Sequence, residues 1–295
     1  MSHFSRRDFF KTAAGAIGTM AATPAFAAKR SATDWVQLGD SDVKVTRLAF
    51  GTGTHGGRIQ RELGQEQFTR LVRHAYDRGI RFFETAQSYK GMPEMLGVAL
   101  KGVPRDSYRL MTKLSLREGE DGVAAFDDQR RFLQSEYVDV ILVHCVRTPD
   151  WMERSKRLRD SLSEAKQKKI ALIHGASCHG LQPLHAFPNN DWLDVALLRV
   201  NHDGTRMDNQ AGSDSSTEKG DVPQVVSHIK EIRGKGTGVI GMKIMGEGQF
   251  QTPEQRDASI KSVMKLGTVD AVTIGYKSTA EIDEAIDRIN KHLNS

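Results

Sequence analysis

The sequence predicts an α/β fold in which eight parallel strands close into a (β/α)8 barrel behind an N-terminal β-hairpin. Three observations carry that prediction. Short apolar or β-branched runs recur eight times along the 295-residue chain. Turn residues and an amphipathic stretch of helix length separate successive runs, and such alternation requires a parallel sheet. Eight strand-helix units over about 250 residues suit a closed barrel, with an open doubly wound sheet as the competing arrangement.

Taken in order, the chain begins with Ser5-Arg6-Arg7-Asp8-Phe9-Phe10-Lys11, a small-residue apolar run over 12–22, and Ala25-Phe26-Ala27. A basic head with paired arginines, an apolar run and a small-x-small site together resemble a twin-arginine export signal. The resemblance implies that residues 1–28 form a leader and that 29–295 form the barrel. It also implies a periplasmic location, with the twin-arginine export machinery as a partner. The stretch 35–45 alternates around Gly39-Asp-Ser-Asp42 and reads as a hairpin that would plug the barrel floor. The expected strands are 48–51, 81–84, 108–113, 138–144, 170–174, 194–198, 238–243 and 269–274. Helices are expected over 66–78, where Phe68, Leu71, Val72 and Ala75 share a face, and over 280–293, where Ile282, Ala285, Ile286 and Ile289 do. The segment 203–221 is rich in Asp, Gly, Ser and Asn, without apolar periodicity; it reads as a long loop, either a lid or a disordered insertion.

Composition narrows the function classes. A net charge of +5 is spread along the chain, with no dense Lys/Arg stripe carrying interleaved aromatics, so nucleic acid is not an expected partner. No run of about 18 apolar residues exists to span a membrane. The two cysteines, Cys145 and Cys178, match no zinc spacing and are too few for a disulfide scaffold, so no metal site is expected. They would follow neighbouring strands, either as a pair or as two separate thiols.

A barrel keeps its chemistry at the carboxyl ends of its strands. Those ends supply Glu84, Lys113, His144, His174 with Ser177 just beyond, Asn201 and Lys243. Tyr89 follows Glu84 closely. A phenol beside an ammonium and an imidazole suits general-acid work: the cation tunes the phenol, a carboxylate holds the cation, and a neutral imidazole polarises a carbonyl oxygen. A competing reading makes His144, His174, His179 and the Asn201-His-Asp203 loop the centre of a metal-dependent hydrolase or isomerase.

The motifs that carry a family likeness are Gly79-Ile-Arg-Phe-Phe-Glu-Thr-Ala-Gln-Ser-Tyr-Lys-Gly91 with Glu94-Met-Leu-Gly97, then Leu110-Met-Thr-Lys113 and Tyr137-Val-Asp-Val-Ile-Leu-Val-His144. In this order they resemble the aldo-keto reductase family over residues 35–293. The resemblance implies reduction of a small-molecule carbonyl substrate by NADPH or NADH. Tyr89 would be the proton donor, Lys113 would lower its pKa, His144 would orient the carbonyl, and Glu84 would stand where the family has Asp.

Cofactor contacts are implied for Gly51, Thr52, Gly53, Ser177, Cys178, Lys243, Lys277, Ser278 and Glu284. The pattern Gly51-Thr-Gly-Thr-His-Gly56 matches a dinucleotide fingerprint, but no apolar periodicity follows before Phe68, so it reads as a loop lining the site. Several positions depart from the family pattern: Cys178 for Asn, Leu197 for Gln, Val200 for Tyr, Glu281 for Arg and Ala285 for Asn. Those departures keep a second function in play, a non-catalytic periplasmic ligand-binding barrel.

Overall fold

Period-2 alternation decides which side of the sheet each residue of the signature stretch faces. Phe82 belongs to the inner apolar cluster and Phe83 to the outer one, so Glu84 returns to the inside at the strand's end. The computed structural model describes residues 29–116, 120–210 and 218–295. The leader expected over 1–28 and the stretch 211–217 within the long loop lie outside the described residues.

Strands β1 (Trp35–Gln37) and β2 (Lys44–Thr46) pair antiparallel, Trp35 opposite Thr46. Leu38, Val43 and Val45 of this hairpin share the inner cluster with Ala49, Phe82 and Met111, so the hairpin plugs the interior. The barrel strands are β3 (Leu48–Gly51), β4 (Phe82–Glu84), β5 (Arg109–Leu114), β6 (Val138–Val146), β7 (Ala171–Cys178), β8 (Val195–Arg199), β9 (Gly238–Met242) and β10 (Ala271–Gly275). Each pairs in parallel with its neighbour, and β10 closes on β3 with Gly275 opposite Gly51. Closure excludes the open sheet.

The helices bury the stripes that their periodicity marks. Gly64–Asp77 buries Phe68, Leu71, Val72 and Ala75; Thr279–Leu293 buries Ile282, Ala285, Ile286 and Ile289, with Ser278 as its N-cap.

Three local differences from expectation matter. Residues Arg58–Arg61 form a one-turn helix entered through Gly57 at φ 83°, not open loop. Strand β6 runs on to Val146, and β7 continues past 174 to Cys178 through Gly175, Ala176 and Ser177. Small residues carry little apolar signal, yet here they are required. A Cβ on Gly175 would lie 1.8 Å from the Val195 carbonyl oxygen, so only glycine permits this strand approach. As a result His174 sits within the strand and away from its carboxyl end. Its ring stacks on Trp192 at 4.3 Å and its backbone N–H donates to Asp194 Oδ2 at 3.0 Å. The metal-dependent reading of His144, His174, His179 and the Asn201-His-Asp203 loop therefore loses one of its members.

The described ends of the 203–221 loop are pinned to the barrel. Asn201 donates to the carbonyls of Thr205 and Lys243 at 2.7 and 3.2 Å, and Lys219 pairs with Asp203 at 2.9 Å. Buried Asp208 accepts the Gly180 N–H at 2.6 Å and lies 3.6 Å from buried Arg199. Asn201 thus serves as a loop clamp.

Candidate active site

The parity that turns Glu84 inward does the same for Lys113, two residues beyond inner Met111, and for Thr273, two beyond inner Ala271. Lys113 Nζ donates to Glu84 Oε1 and, at 2.7 Å, to the Thr85 carbonyl. The other carboxylate oxygen, Oε2, accepts from Thr273 Oγ1 at 3.2 Å. Lys113 is 1% exposed and Glu84 4%, so the pair is held away from water. Burial pulls the Lys113 amine below its ordinary range, and the charge and hydrogen bond of Glu84 oppose that pull. Gly51 leaves the room they need: a Cβ there would lie 2.6 Å from Thr273 Oγ1 and 2.9 Å from Glu84 Oε2.

Tyr89 stands in the turn after β4, its N–H donating to the Ala86 carbonyl at 3.1 Å. Lys113 Nζ lies 4.7 Å from the centre of its ring, and the His144 ring meets it edge-on at 5.5 Å. Ser88 Oγ and His144 Nδ1 are 3.2 Å apart, which leaves Nε2 as the imidazole atom for a ligand. Burial, then Lys113, His179 and Arg147, hold His144 well below its ordinary range, so the ring is neutral near pH 7. The expected lowering of the Tyr89 pKa does not occur. Burial first, then the charge of Glu84, push this phenol well above its usual range. The physical reason is placement: the ammonium lies over the ring and is already engaged by Glu84, whose negative charge opposes ionisation of the phenol.

A cavity of about 720 Å3 opens beside these groups. Glu84, Tyr89 and Lys113 line it, as do Gly51, Gly53, Lys243, Lys277 and Glu284. Four other expected cofactor contacts turn elsewhere. Thr52 Oγ1 donates to Thr85 Oγ1 at 3.0 Å, and Ser177 Oγ accepts the Cys145 N–H at 2.7 Å. The Cys178 thiol is buried, pushed well up in pKa, and directed to the Gly180 carbonyl at 3.4 Å. Ser278 Oγ caps its helix by accepting the Glu281 N–H at 3.3 Å. Cys145 and Cys178 are separate thiols.

Other groups of this cavity escape sequence reasoning. Gln60 Nε2 donates to the carbonyls of Gly51 and Tyr276 at 3.1 and 3.0 Å, tying the loop after β3 to the loop after β10. Lys243 Nζ reaches Glu247 Oε1 at 2.7 Å, and both residues adopt positive φ, 61° and 56°. Arg256 and Arg288 each donate through Nε to Glu284 Oε1 at 2.8 Å, and Arg288 also pairs with Asp257 at 3.0 Å. Glu281 Oε2 accepts the Lys277 N–H at 2.8 Å. Inward parity is a signal that could have found Thr273; the arginines lie on helices whose register gives no such hint. Among the described residues, no group of three His, Cys, Asp or Glu side chains is arranged to hold a metal ion.

Chemically, this arrangement offers a protonated phenol, a neutral imidazole and a buried ammonium at one wall of a groove whose other residues include several cations. Comparison with known proteins agrees with that chemistry. The sequence profile of the aldo/keto reductase family matches residues 47–295. L-galactose dehydrogenase of Arabidopsis thaliana is 34% identical over 265 residues, spanning 82% of this chain and 76% of that protein. Among solved structures, an aldo-keto reductase of Bacillus halodurans in its holo form superposes with a TM-score of 0.68 at 17% identity, covering 88% of this chain and 95% of that one. The glycerol dehydrogenase of Gluconobacter oxydans does so at 0.56 and 18%, covering 90% and 97%. At such identities the structural likeness speaks to the fold alone.

Proposed function

The chain belongs to the aldo/keto reductase family and is an oxidoreductase, and from that premise we propose that it reduces aldehyde or ketone carbonyls of small molecules, with Tyr89 delivering the proton. The observation that carries this reading is the inward convergence of Glu84, Lys113 and Tyr89 at the wall of one cavity, with neutral His144 against the Tyr89 ring.

The family generally uses NAD(P)H, and the donor set of the groove fits such a cofactor. Lys243 and Lys277 bring cations to the groove for its phosphates, while Gly51 and Gly53 leave backbone without side chain beside Glu84 and Tyr89. When bound, the cofactor supplies the hydride. The chain's own residues handle the proton. A phenol with a raised pKa stays protonated at neutral pH and so has a proton to give. Lys113, held by Glu84 and lying over the ring, fixes the wall against which the Tyr89 phenol is placed. His144 Nε2 is free to meet the carbonyl oxygen because Ser88 takes Nδ1.

In this reading NADH is preferred over NADPH. Glu281 brings a carboxylate to the start of helix Thr279–Leu293 and fills the Lys277 N–H, while Glu284 and Asp257 already pair with Arg256 and Arg288. A further phosphate dianion there would meet like charge. The paired arginines, apolar run and Ala-Phe-Ala of residues 1–28 support export by the twin-arginine machinery to the periplasm, which fractionation of cells expressing the full chain would test.

The test of the catalytic reading is a fluorescence titration with NADH and NADPH, followed by turnover of a small aldehyde. Binding and turnover with NADH are expected. Binding without turnover of any aldehyde or ketone would favour the ligand-binding barrel instead.

A further inference from the structure

Outside the cavity lining, two histidines on successive helical segments face each other. His185 ends the turn Leu181–Leu184 after β7, and His228 lies on helix Val222–Gly234 after the long loop. Their ring nitrogens, His185 Nδ1 and His228 Nε2, are 3.0 Å apart, with ring centres at 4.9 Å and planes 80° from each other. The opposite nitrogen of His228, Nδ1, lies 3.6 Å from Glu231 Oε2, one turn along the same helix. Ser227 Oγ in turn donates to Glu231 Oε1 at 3.4 Å. His185 is exposed and His228 half-buried, so the pair is open to solvent on one side and braced on the other.

We propose that His185 and His228 form a two-imidazole chelate for a divalent cation of the zinc, nickel and copper(II) class, completed by water. Each element of the geometry bears on this. Two imidazole nitrogens bound at about 2.0–2.1 Å to one cation stand about 2.9 Å apart at a right angle and about 3.4 Å apart at the tetrahedral angle. The observed 3.0 Å falls inside that span; the nitrogens are now joined by a hydrogen bond, which a cation would replace as the proton leaves and the rings turn to bring both lone pairs to it. Glu231 Oε2 lies 3.6 Å from His228 Nδ1, too far for a hydrogen bond, but its charge on that side favours the tautomer with the proton on Nδ1, which leaves the Nε2 lone pair on the shared side. Imidazole nitrogen selects borderline cations of this class over magnesium or calcium, which prefer oxygen. Among the described residues no third His, Cys, Asp or Glu ligand is assembled around the pair, so the site takes up metal as an exposed chelate and not as a structural cage.

Occupancy would clamp the segment after β7 to the helix after β8. The segment after β7, which Gly180 already ties to Asp208 of the long loop, would thereby be joined a second time to the chain after β8.

The test is isothermal titration of the untagged full chain with zinc chloride, repeated with the variants His185→Gln, His228→Gln and Glu231→Gln. Wild type is expected to bind one equivalent that either histidine substitution removes or weakens by about tenfold or more, and Glu231→Gln is expected to weaken it by about tenfold. The positioning role of Glu231 has its own readout: Glu231→Asp should recover part of the lost affinity. Cofactor binding and turnover should remain unchanged in all four variants, because none of these residues lines the cavity. The proposal is overturned if wild type takes up no zinc, or if both histidine variants take up zinc as wild type does. The latter result would place the ion elsewhere, for example at His74 with Asp283 or at His292 with Asp257.

Discussion

Replacing Gly53 by alanine puts a methyl group where Tyr89 already lies. The new Cβ would stand 2.6 Å from the Tyr89 hydroxyl oxygen, 2.7 Å from Cζ and 2.8 Å from Cε2, whereas ordinary contact begins at 3.4 Å. The ring must therefore retreat by about 0.8 Å. The backbone offers no relief and imposes no penalty of its own, since Gly53 is not among the residues at positive φ. A misplacement of about 1 Å at a reacting group costs on the order of a hundredfold in rate, so turnover should fall between roughly 10-fold and 100-fold, about 1.4 to 2.7 kcal/mol in the barrier. Fold stability should change little, because alanine also restricts the unfolded chain, by about 0.4–1 kcal/mol at a compatible site. Steady-state reduction of a small aldehyde, with thermal melting as the control, separates the two effects. Wild-type turnover in Gly53→Ala would refute the placement of Tyr89 as the proton donor held by this contact.

Glu84→Asp shortens the reach to Lys113 and to Thr273; because the family has Asp at this position, turnover in that variant should be preserved or raised, as measured by kcat on the same aldehyde. The pH profile of reduction should be flat through the ordinary histidine range, since His144 is held neutral from well below it, and flat again through the ordinary tyrosine range, since Tyr89 keeps its proton beyond it. A limb near pH 6.5 that disappears in His144→Gln would contradict the first point. Glu281→Arg should raise the affinity for NADPH relative to NADH by about tenfold or more, read by fluorescence titration. Burial raises the Asp208 carboxyl to about 6 against an ordinary 3.8. The folded state therefore binds this proton more tightly, and its contribution, about 3 kcal/mol, is present below the unfolded value and lost as pH rises through about 6. Relative to Asp208→Asn, wild type should gain most of that amount between about pH 7 and pH 4 in denaturant melts.

Much of the architecture is legible because alternation is a local property. Phe82, Phe83 and Glu84 declare their sides by parity, and the same reading places Lys113 two residues after Met111. The strand ends at Gly175 to Cys178 escape that reading, because small residues that must be small for packing look like loop. The groove is harder still, since barrel closure assembles it from opposite ends of the chain. Gln60 touches Tyr276 across 216 positions, and Glu84 meets Thr273 across 189. The direction of the Tyr89 shift comes first from burial and then from the charge of Glu84, a matter of packing that residue order does not contain. Arg256 and Arg288 acquire meaning only through Glu284, which lies between them.

The central claim is that Tyr89 supplies the proton in a nicotinamide-dependent reduction, and comparison of wild type with Tyr89→Phe tests it most directly. Fluorescence titration with NADH and steady-state reduction of a small aldehyde are measured on both proteins. Unchanged cofactor affinity with turnover reduced by at least about a hundredfold is the predicted result. Equal turnover in the two proteins would contradict the assignment and leave Glu84 and Lys113 as a buried ion pair that only braces the barrel.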